Sequence, residues 1–173
     1  MNKTEHNSSE AVTGSLESSV FKLLKKYQYT LTTAESCTGG MIASTLINVP
    51  GISEFFQEGY VTYSNAAKVK MLGVRKETID TYGVVSKETA EEMAYRVAAK
   101  AQTDAALSVT GVAGPDGGTK DCPVGTVYLG CFLHGTTVTE HHVFEGGRQE
   151  VRAAATRRAL ELLIEQIGKE KNR

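Results

Sequence analysis

The sequence predicts an α/β protein in which a mixed β-sheet lies between two layers of helices, a three-layer α/β/α sandwich. Two observations support this architecture. Short β-branched runs alternate with segments whose apolar residues recur at helical spacing in the first part of the chain, and two further strand-like runs then follow each other across a tight turn. Alternation of strands with helices favours parallel strands, whereas the later hairpin requires antiparallel ones.

Length and charge limit the possible organisation and partners. A chain of 173 residues with 40% apolar residues provides for one globular core, so we expect one domain over 10–168, between a flexible polar arm at 1–9 and a short tail at 169–173. The 19 basic and 20 acidic residues are scattered, which predicts no nucleic-acid or membrane partner. No apolar run reaches the roughly 20 residues that cross a bilayer and the start is too polar for a secretory signal, so we expect a cytoplasmic protein.

The first elements follow the predicted alternation. Apolar residues at helical spacing from Val12 to Tyr27 predict a helix. The β-branched run at 29–34 predicts a strand, and the turn chemistry at 35–40 separates it from a second helix at 41–47.

The middle of the chain predicts a second strand at 59–64 and a short helix after it, with Asn65 as the expected N-cap. Ser86 is the expected N-cap of the next helix, whose start carries glutamates where the helix dipole favours acids. Alanine dominates the apolar side of that helix between Ala90 and Ala101, which predicts close packing.

The last part of the chain predicts the antiparallel half of the sheet. A short apolar strand at 105–110 is followed by a glycine-rich loop at 111–119. The runs at 125–133 and 136–144 flank a two-residue turn and predict a hairpin. A helix over 148–167 completes the predicted domain.

Cysteines and histidines do not form a pattern typical of a metal site. Cys37, Cys122 and Cys131 are odd in number and lack CxxC spacing, so we expect free thiols. His141 and His142 are neighbours on a predicted strand, where adjacent side chains point to opposite faces. We therefore expect no metal site.

The turn at 35–40 is the strongest candidate for chemistry. It presents Ser36 and Cys37 at a helix start, where free N–H groups and the positive end of the helix dipole can stabilise an oxyanion or a phosphate. A serine nucleophile needs a base, whereas a thiolate at a helix start has a lowered pKa. Ordinary helix capping also explains such a turn, so the pattern leaves the serine, the cysteine and a structural role open.

Lys68 is the candidate base. No histidine lies in or beside the glycine-rich segments, which disfavours a serine–histidine–aspartate arrangement. The helical period places Lys68 between Met71 and Leu72, and burial on that apolar side lowers a lysine pKa toward the value that a neutral base needs. The alternative is a lysine whose stem covers apolar surface. Tyr63 either relays a proton or orients the lysine, or it is structural.

Two further segments are candidates for ligand binding. The loop at 110–119 offers backbone N–H groups suited to a phosphate or a ribose, although it is neither a P-loop nor a dinucleotide-binding GxGxxG. Arginines of the last helix could pair with a phosphate, and the alternative for most of them is a solvated helix face. They are Arg148, Arg152, Arg157 and Arg158.

Four motifs together resemble the C-terminal domain family of the competence-damage-inducible protein CinA. They are Thr33–Gly40, Gly59–Lys68, Thr110–Pro115 and Pro123–Val127, and the similarity extends from about Tyr29 to the last helix in the family's order. Stand-alone members of this size are nicotinamide-nucleotide amidases. The resemblance therefore implies hydrolysis of nicotinamide mononucleotide (NMN) to nicotinate mononucleotide and ammonia in pyridine nucleotide recycling, with no metal or other cofactor.

The resemblance also implies roles for individual residues. It assigns Ser36 as the nucleophile, Lys68 as its base and Tyr63 as a third catalytic residue, and under this mechanism N–H groups near Thr38 and Gly39 stabilise the oxyanion. Among the binding residues, Gln57, Thr110 and Arg152 match positions of the family. The full set that we expect to bind substrate is Thr38, Gly39, Gly40, Gln57, Asn65, Thr110, Gly111, Gly114 and Arg152.

Other functions remain open from the sequence. The alternatives are a catalytically inactive nucleotide-binding or interaction module with the same fold, and hydrolysis of another small amide or ester by the same serine. Similar proteins lead us to expect a homo-oligomer, a dimer or larger. The physiological role is either salvage or a DNA-damage or competence response.

Overall fold

The computed structural model describes residues 14–172, so the predicted arm at 1–9 and the predicted helix start at Val12 lie outside it. Five strands and six helices make up the described part of the chain, with a 3₁₀ turn at Ile52–Glu54. The elements are α1 (Leu16–Tyr27), β1 (Leu31–Glu35), α2 (Met41–Leu46), β2 (Phe56–Val61), α3 (Asn65–Ala67) with a π-helical turn at Lys68–Leu72, α4 (Lys76–Tyr82), α5 (Lys87–Ala101), β3 (Ala105–Gly111), β4 (Thr126–Leu133), β5 (Thr136–Val143) and α6 (Arg148–Lys171).

The five strands form one mixed sheet in the order β2-β1-β3-β4-β5. Strand β1 runs parallel to both β2 and β3, and β3, β4 and β5 pair antiparallel. In the parallel half, Glu35 at the end of β1 lies opposite Val61 on one side and Val109 on the other. The segments that leave these three strands therefore begin side by side at one edge of the sheet.

Helices cover both faces of the sheet, which confirms the three-layer α/β/α fold. Helices α1, α2 and α6 pack together on one face over the larger apolar core, and α5 with α4 covers the other. Close packing of α5 on the sheet follows from its buried alanines and from Gly130, since a Cβ there would lie 2.7 Å from the Ala90 carbonyl oxygen. The Ser108 hydroxyl donates to that same oxygen at 2.6 Å.

Most predicted elements are present, and the differences lie at their ends. Strand β2 starts and ends three residues earlier than predicted. The N-cap of α3 is Ser64 rather than Asn65, because Ser64 keeps an extended backbone and its hydroxyl accepts the Ala67 N–H at 3.1 Å. Ser86 is confirmed as the N-cap of α5, with its hydroxyl accepting the Thr89 N–H.

Two helical segments were not predicted. Helix α4 is short and has no long apolar stripe, so periodicity did not reveal it. Helix α6 continues past the predicted end at Ile167 to Lys171, and most of the expected tail is therefore helical. The extension is held by tertiary contacts, since the Tyr29 hydroxyl donates to the Glu170 carboxylate at 2.7 Å and His134 contacts the same carboxylate at 2.7 Å.

The helices of residues 14–172 do not include one that is both long enough and apolar enough to cross a lipid bilayer.

Candidate active site

The turn after β1 holds Ser36 at the edge where the parallel strands end. The Ser36 N–H donates to the Val109 carbonyl at 3.0 Å, which ties the turn to β3. The Gly39 N–H donates to the Ser36 carbonyl at 3.0 Å and closes the turn, with Gly39 at a φ of +62° that favours glycine. The serine hydroxyl is thereby fixed relative to the sheet.

A buried carboxylate caps the helix that follows this turn. Glu35 is 1% exposed, and its oxygens accept the N–H groups of Gly40, Ile42 and Ala43 at 3.0, 3.1 and 2.9 Å. These three donors are the orphan N–H groups of a helix start, and a carboxylate also suits the positive end of the helix dipole. The sequence analysis missed this role, although an acidic residue before a helix start is its signal.

The turn therefore has few free donors for an oxyanion. The Gly39 N–H is already bonded within the turn, which does not support its expected role as an oxyanion donor. Within residues 14–172, the N–H groups of Cys37 and Thr38 donate to no oxygen. The Thr38 side chain is fully buried and does not line the pocket.

Lys68 reaches Ser36 from the π-helical turn. Its Nζ donates to the Ser36 Oγ at 2.9 Å and to the Thr62 carbonyl at 2.6 Å. The lysine is 1% exposed although it carries a charged group. The structure thus brings together the two residues that the sequence paired across 32 positions.

Burial changes the acid–base properties of this lysine. Desolvation disfavours the ammonium form and lowers the Lys68 pKa from 10.5 to about 8. At a pKa of about 8, roughly a tenth of the side chain is the neutral amine at pH 7. A neutral amine in contact with a hydroxyl is a competent general base.

Cys37 differs from its neighbour in both position and protonation. The thiol is buried among the apolar residues of the α1, α2 and α6 side. Burial raises its pKa to about 11, and this effect outweighs the nearby positive charges of Lys68 and Arg152. The thiolate expected at a helix start is therefore not favoured, which argues against Cys37 as the nucleophile.

A pocket of about 250 Å³ opens above the serine–lysine pair. One wall is formed by the glycine-rich loop after β3, and another by Val84 and Val85, between α4 and α5, which the sequence analysis missed because an apolar pair gives no local signal. The lining residues are Ser36, Cys37, Tyr63, Asn65, Lys68, Val84, Val85, Thr110, Gly111, Val112, Ala113, Gly114, Asp116, Gly117 and Arg148.

Tyr63 lies at the rim of this pocket, where 61% of it is exposed. Its hydroxyl accepts a hydrogen bond from the Arg148 Nη2 at 2.6 Å, and the Arg148 Nη1 donates to the Gly114 carbonyl at 2.7 Å. No hydrogen bond joins Tyr63 to Ser36 or Lys68 in the described structure. The predicted proton relay is therefore absent from this arrangement, and Tyr63 positions an arginine instead.

The expected binding residues of the glycine-rich loop line the pocket, as does Asn65. The Thr110 hydroxyl donates to the Val84 carbonyl at 2.7 Å, so it holds the opposite wall. Gly111 and Gly114 lie where the backbone passes close to other atoms. A Cβ at Gly111 would lie 2.6 Å from the Thr126 carbonyl oxygen, and a Cβ at Gly114 would lie 2.5 Å from the Val124 side chain. Contact of these residues with substrate stays a prediction.

Several expected binding residues lie outside the pocket. Gly39 and Gly40 belong to the helix start, and Gln57 lies at the bulged beginning of β2, at the opposite end of that strand from the pocket. Arg152 donates to the carbonyls of Cys37 and Thr38 at 3.1 and 2.8 Å, so it supports the serine turn, the segment at 35–40 that carries Ser36.

Arg148 is the helix arginine that lines the pocket, one turn before the expected Arg152. Both arginines lie on the same side of α6 because they are four residues apart. Only the tertiary structure shows which of them reaches the rim. Residues 14–172 hold no cluster of three or more His, Cys, Asp or Glu side chains arranged as metal ligands.

The fold and the site define a class of protein, namely three-layer α/β/α proteins with a buried serine–lysine pair where the parallel strands of a mixed sheet end. Comparison with protein families gives the particular family. The model of the CinA C-terminal domain matches residues 13–167, and the chain belongs to this family. The match confirms the resemblance that the four motifs indicate.

Similar sequences come from longer proteins. A relative from Clostridium perfringens strain SM101 is 52% identical over 154 residues, which are 89% of this chain and 37% of that protein. A CinA-like protein of Kosmotoga olearia is 51% identical over 149 residues, 86% of this chain and 36% of that protein. The chain thus spans little more than a third of the length of these relatives.

Solved structures share the fold over nearly their whole length. A CinA superfamily protein from Klebsiella pneumoniae has a TM-score of 0.86 at 36% identity, covering 89% of this chain and 96% of that chain. One from Escherichia coli has a TM-score of 0.82 at 37% identity, covering 89% and 91%.

Proposed function

We propose that the chain is an amidohydrolase that converts NMN to nicotinate mononucleotide and ammonia through an acyl-enzyme. The observation that carries the proposal is the 2.9 Å contact between the Lys68 Nζ and the Ser36 Oγ in a desolvated position beneath a pocket. The family resemblance supplies the substrate class, and the geometry supports a serine–lysine mechanism.

Acylation begins with the neutral Lys68 amine, which the Thr62 carbonyl orients by accepting one of its N–H groups. The amine takes the Ser36 proton as the Oγ attacks the carboxamide carbon. The free N–H groups of Cys37 and Thr38 are the donors nearest in sequence to the developing oxyanion. The Lys68 ammonium then gives its proton to the leaving nitrogen, the C–N bond breaks and ammonia departs.

Deacylation uses the same base. A water molecule gives a proton to Lys68 and its oxygen attacks the acyl carbon, and the second tetrahedral intermediate collapses with return of the proton to the Ser36 Oγ. The products are nicotinate mononucleotide and free enzyme. One lysine can serve both half-reactions because it returns to the neutral form at the end of each.

The pocket supports a small aromatic amide with an anionic extension. A volume of about 250 Å³ holds a pyridine ring with part of a ribose. Arg148 lies at the rim and bonds only neutral oxygens, so its positive charge is not compensated by a carboxylate partner in the described structure. A phosphate there would gain a charge-assisted contact and orient the amide toward Ser36.

Ammonia release from NMN tests the proposal. We expect the unmodified protein to release ammonia, and Ser36→Ala and Lys68→Ala to lose about 1,000-fold or more, because each removes a partner of a unit that acts together. Cys37→Ala is the matched control, since it changes the adjacent residue and should keep activity within about threefold. Mass spectrometry after rapid acid quench should detect the acyl adduct in the unmodified protein and in Cys37→Ala, and not in Ser36→Ala or Lys68→Ala.

Two results would contradict this mechanism. Full activity of Ser36→Ala with loss in Cys37→Ala would move the nucleophile by one residue. Tight binding of NMN without ammonia release by the unmodified protein would instead support the nucleotide-binding module.

A further inference from the structure

The pocket carries two opposite charges besides the buried lysine. Asp116 is the one carboxylate among the lining residues, and Arg148 contributes a guanidinium from a different element. They form no ion pair with each other, and Asp116 has no hydrogen-bond or ion-pair partner within residues 14–172. Both charges therefore remain available to a ligand.

The surrounding structure holds the first of these charges in place and puts the second in the wall of the same pocket. The positive charge is Arg148, and the negative one is the exposed Asp116. The Arg148 guanidinium is held by the Gly114 carbonyl and the Tyr63 hydroxyl. Asp116 follows two residues after Gly114 in the wall of the same pocket. A volume of 250 Å³ equals a sphere only about 8 Å across, so a bound ligand lies within one Debye length of both charges at physiological salt.

This charge pattern distinguishes among ligands. A purely anionic ligand is attracted by Arg148 and repelled by Asp116, so the two contributions to its binding free energy oppose each other. A ligand with a positive group inside the pocket and a negative group at the rim gains from both. Between two ligands that carry the same phosphate and ribose, a carboxylate in the pocket wall therefore favours the one that also carries a cation.

Resting on the proposed function, we propose that Asp116 is a specificity-determining residue that selects nucleotides whose aromatic ring is positively charged. In such an N-substituted pyridinium, the charge is centred about one ring width from the carboxamide carbon, so it lies inside the pocket when that carbon contacts Ser36. The reduced 1,4-dihydro nucleotide has the same carboxamide, ribose and phosphate but an uncharged ring. Asp116 thus discriminates between the two nucleotides by the charge of the ring rather than by its shape.

Binding to a variant without turnover tests the assignment. In the Ser36→Ala background, calorimetry at pH 8 gives the Kd of NMN and of its 1,4-dihydro form, with and without Asp116→Asn. We expect Asp116→Asn to raise the Kd of NMN about 5- to 20-fold, which is the effect of two opposite charges a few ångströms apart at intermediate dielectric. The Kd of the dihydro form should change by less than about twofold, because its ring is uncharged.

Asp121→Asn is the matched control. It removes the same charge from the same connection between β3 and β4. Asp121 is exposed like Asp116 but does not line the pocket, so both Kd values should stay within about twofold. Asp116→Ser is a second variant with the same expected selectivity. Thermal unfolding of each variant verifies that the loop change leaves the fold intact.

Three outcomes overturn the assignment in distinguishable ways. Equal weakening of both nucleotides by Asp116→Asn would make Asp116 a ribose ligand. Unchanged Kd values for both nucleotides would show that Asp116 takes no part in binding. If the unmodified protein releases no ammonia from NMN and Ser36→Ala binds neither nucleotide, the proposed function fails and the role of Asp116 fails with it.

Discussion

Lys68 shows how one buried side chain links stability to chemistry. Its ammonium form is disfavoured because the surrounding apolar residues and the serine hydroxyl replace water only in part. The same desolvation makes the amine a base near neutral pH. A site of this kind sacrifices some stability of the folded chain for reactivity.

The titration of Lys68 predicts the pH dependence of the proposed activity. Its pKa is lowered to about 8, so the amine is mostly charged and inactive as a base below that pH and mostly neutral above it. We expect kcat/KM for NMN to rise about tenfold per pH unit below pH 7 and to level off above about pH 8.5.

Initial rates of ammonia release between pH 5.5 and 9.5 measure this profile. Between pH 7 and 9.5 the change in rate reports the enzyme, because the second ionisation of the NMN phosphate, with a pKa of about 6, is largely complete there. A profile that is flat across pH 8, or that falls through it, would remove Lys68 as the base.

At the scale of elements, α6 carries three arginines with different partners, two of which contact the site. Arg148 reaches the pocket rim, Arg152 supports the serine turn, and Arg158 binds carboxylates of β5 and of its own helix. The helix thus joins the site to the antiparallel half of the sheet.

The first two of these arginines should have separable kinetic roles. We expect Arg148→Ala to raise the KM for NMN about 10- to 100-fold, because it removes the charge at the rim, and to change activity on nicotinamide riboside, which lacks the phosphate, by less than about threefold. Arg152→Ala should lower kcat for both substrates, because it loosens the serine turn.

Steady-state kinetics on the two substrates check this separation. Arg157→Ala is the control, since Arg157 lies on the same helix, is exposed and lines neither the pocket nor the serine turn. An Arg152→Ala variant that alters only the KM for the phosphorylated substrate would show that the two assignments must be exchanged.

The contact between α6 and β5 has its own pH dependence. Glu140 pairs with Arg158 at 2.7 Å and lies against His142, and these contacts hold its pKa at about 2. A depressed pKa means that its stabilisation is present above pH 4.5 and is lost as the pH falls toward 2. We expect Glu140→Gln to lower the free energy of unfolding by about 1–2 kcal/mol at pH 7, after discounting for partial exposure.

Urea unfolding at pH 7 and pH 3 measures this contribution. The difference between Glu140→Gln and the unmodified chain should shrink to less than half at pH 3. Glu161→Gln is the control, because Glu161 is more exposed, meets Arg158 at 3.4 Å and should cost less than about 0.5 kcal/mol. Equal costs at both pH values would mean that the pair contributes through packing alone.

At the scale of the whole molecule, the sequence predicts the layers and the proximity of Ser36 to Lys68 better than the ends of elements. Periodicity identified most helices and strands because burial on one face leaves a repeating pattern. The pairing of Ser36 with Lys68 was reached through family motifs, while the place of Lys68 on an apolar helix side left burial and a stem covering apolar surface as alternatives. Helix α4 gave no comparable signal.

What the sequence could not predict depends on contacts between distant segments. The choice of Arg148 over Arg152 at the rim is set by how α6 docks, and the contact from Arg152 to Cys37 spans 115 positions. The wall at Val84 has the same origin, since only the assembled sheet brings it beside Thr110. The α/β class was predictable because it depends on patterns within each segment.

The support that Arg152 gives to the carbonyls of Cys37 and Thr38 has a consequence for how the molecule loses activity. The first turn of a helix frays more easily than a central strand, and its release would cost far less than global unfolding. The sheet and the core would stay folded during such fraying, but the Ser36 hydroxyl would lose its fixed orientation toward Lys68. We therefore expect the proposed activity to be lost under milder conditions than those that unfold the sheet.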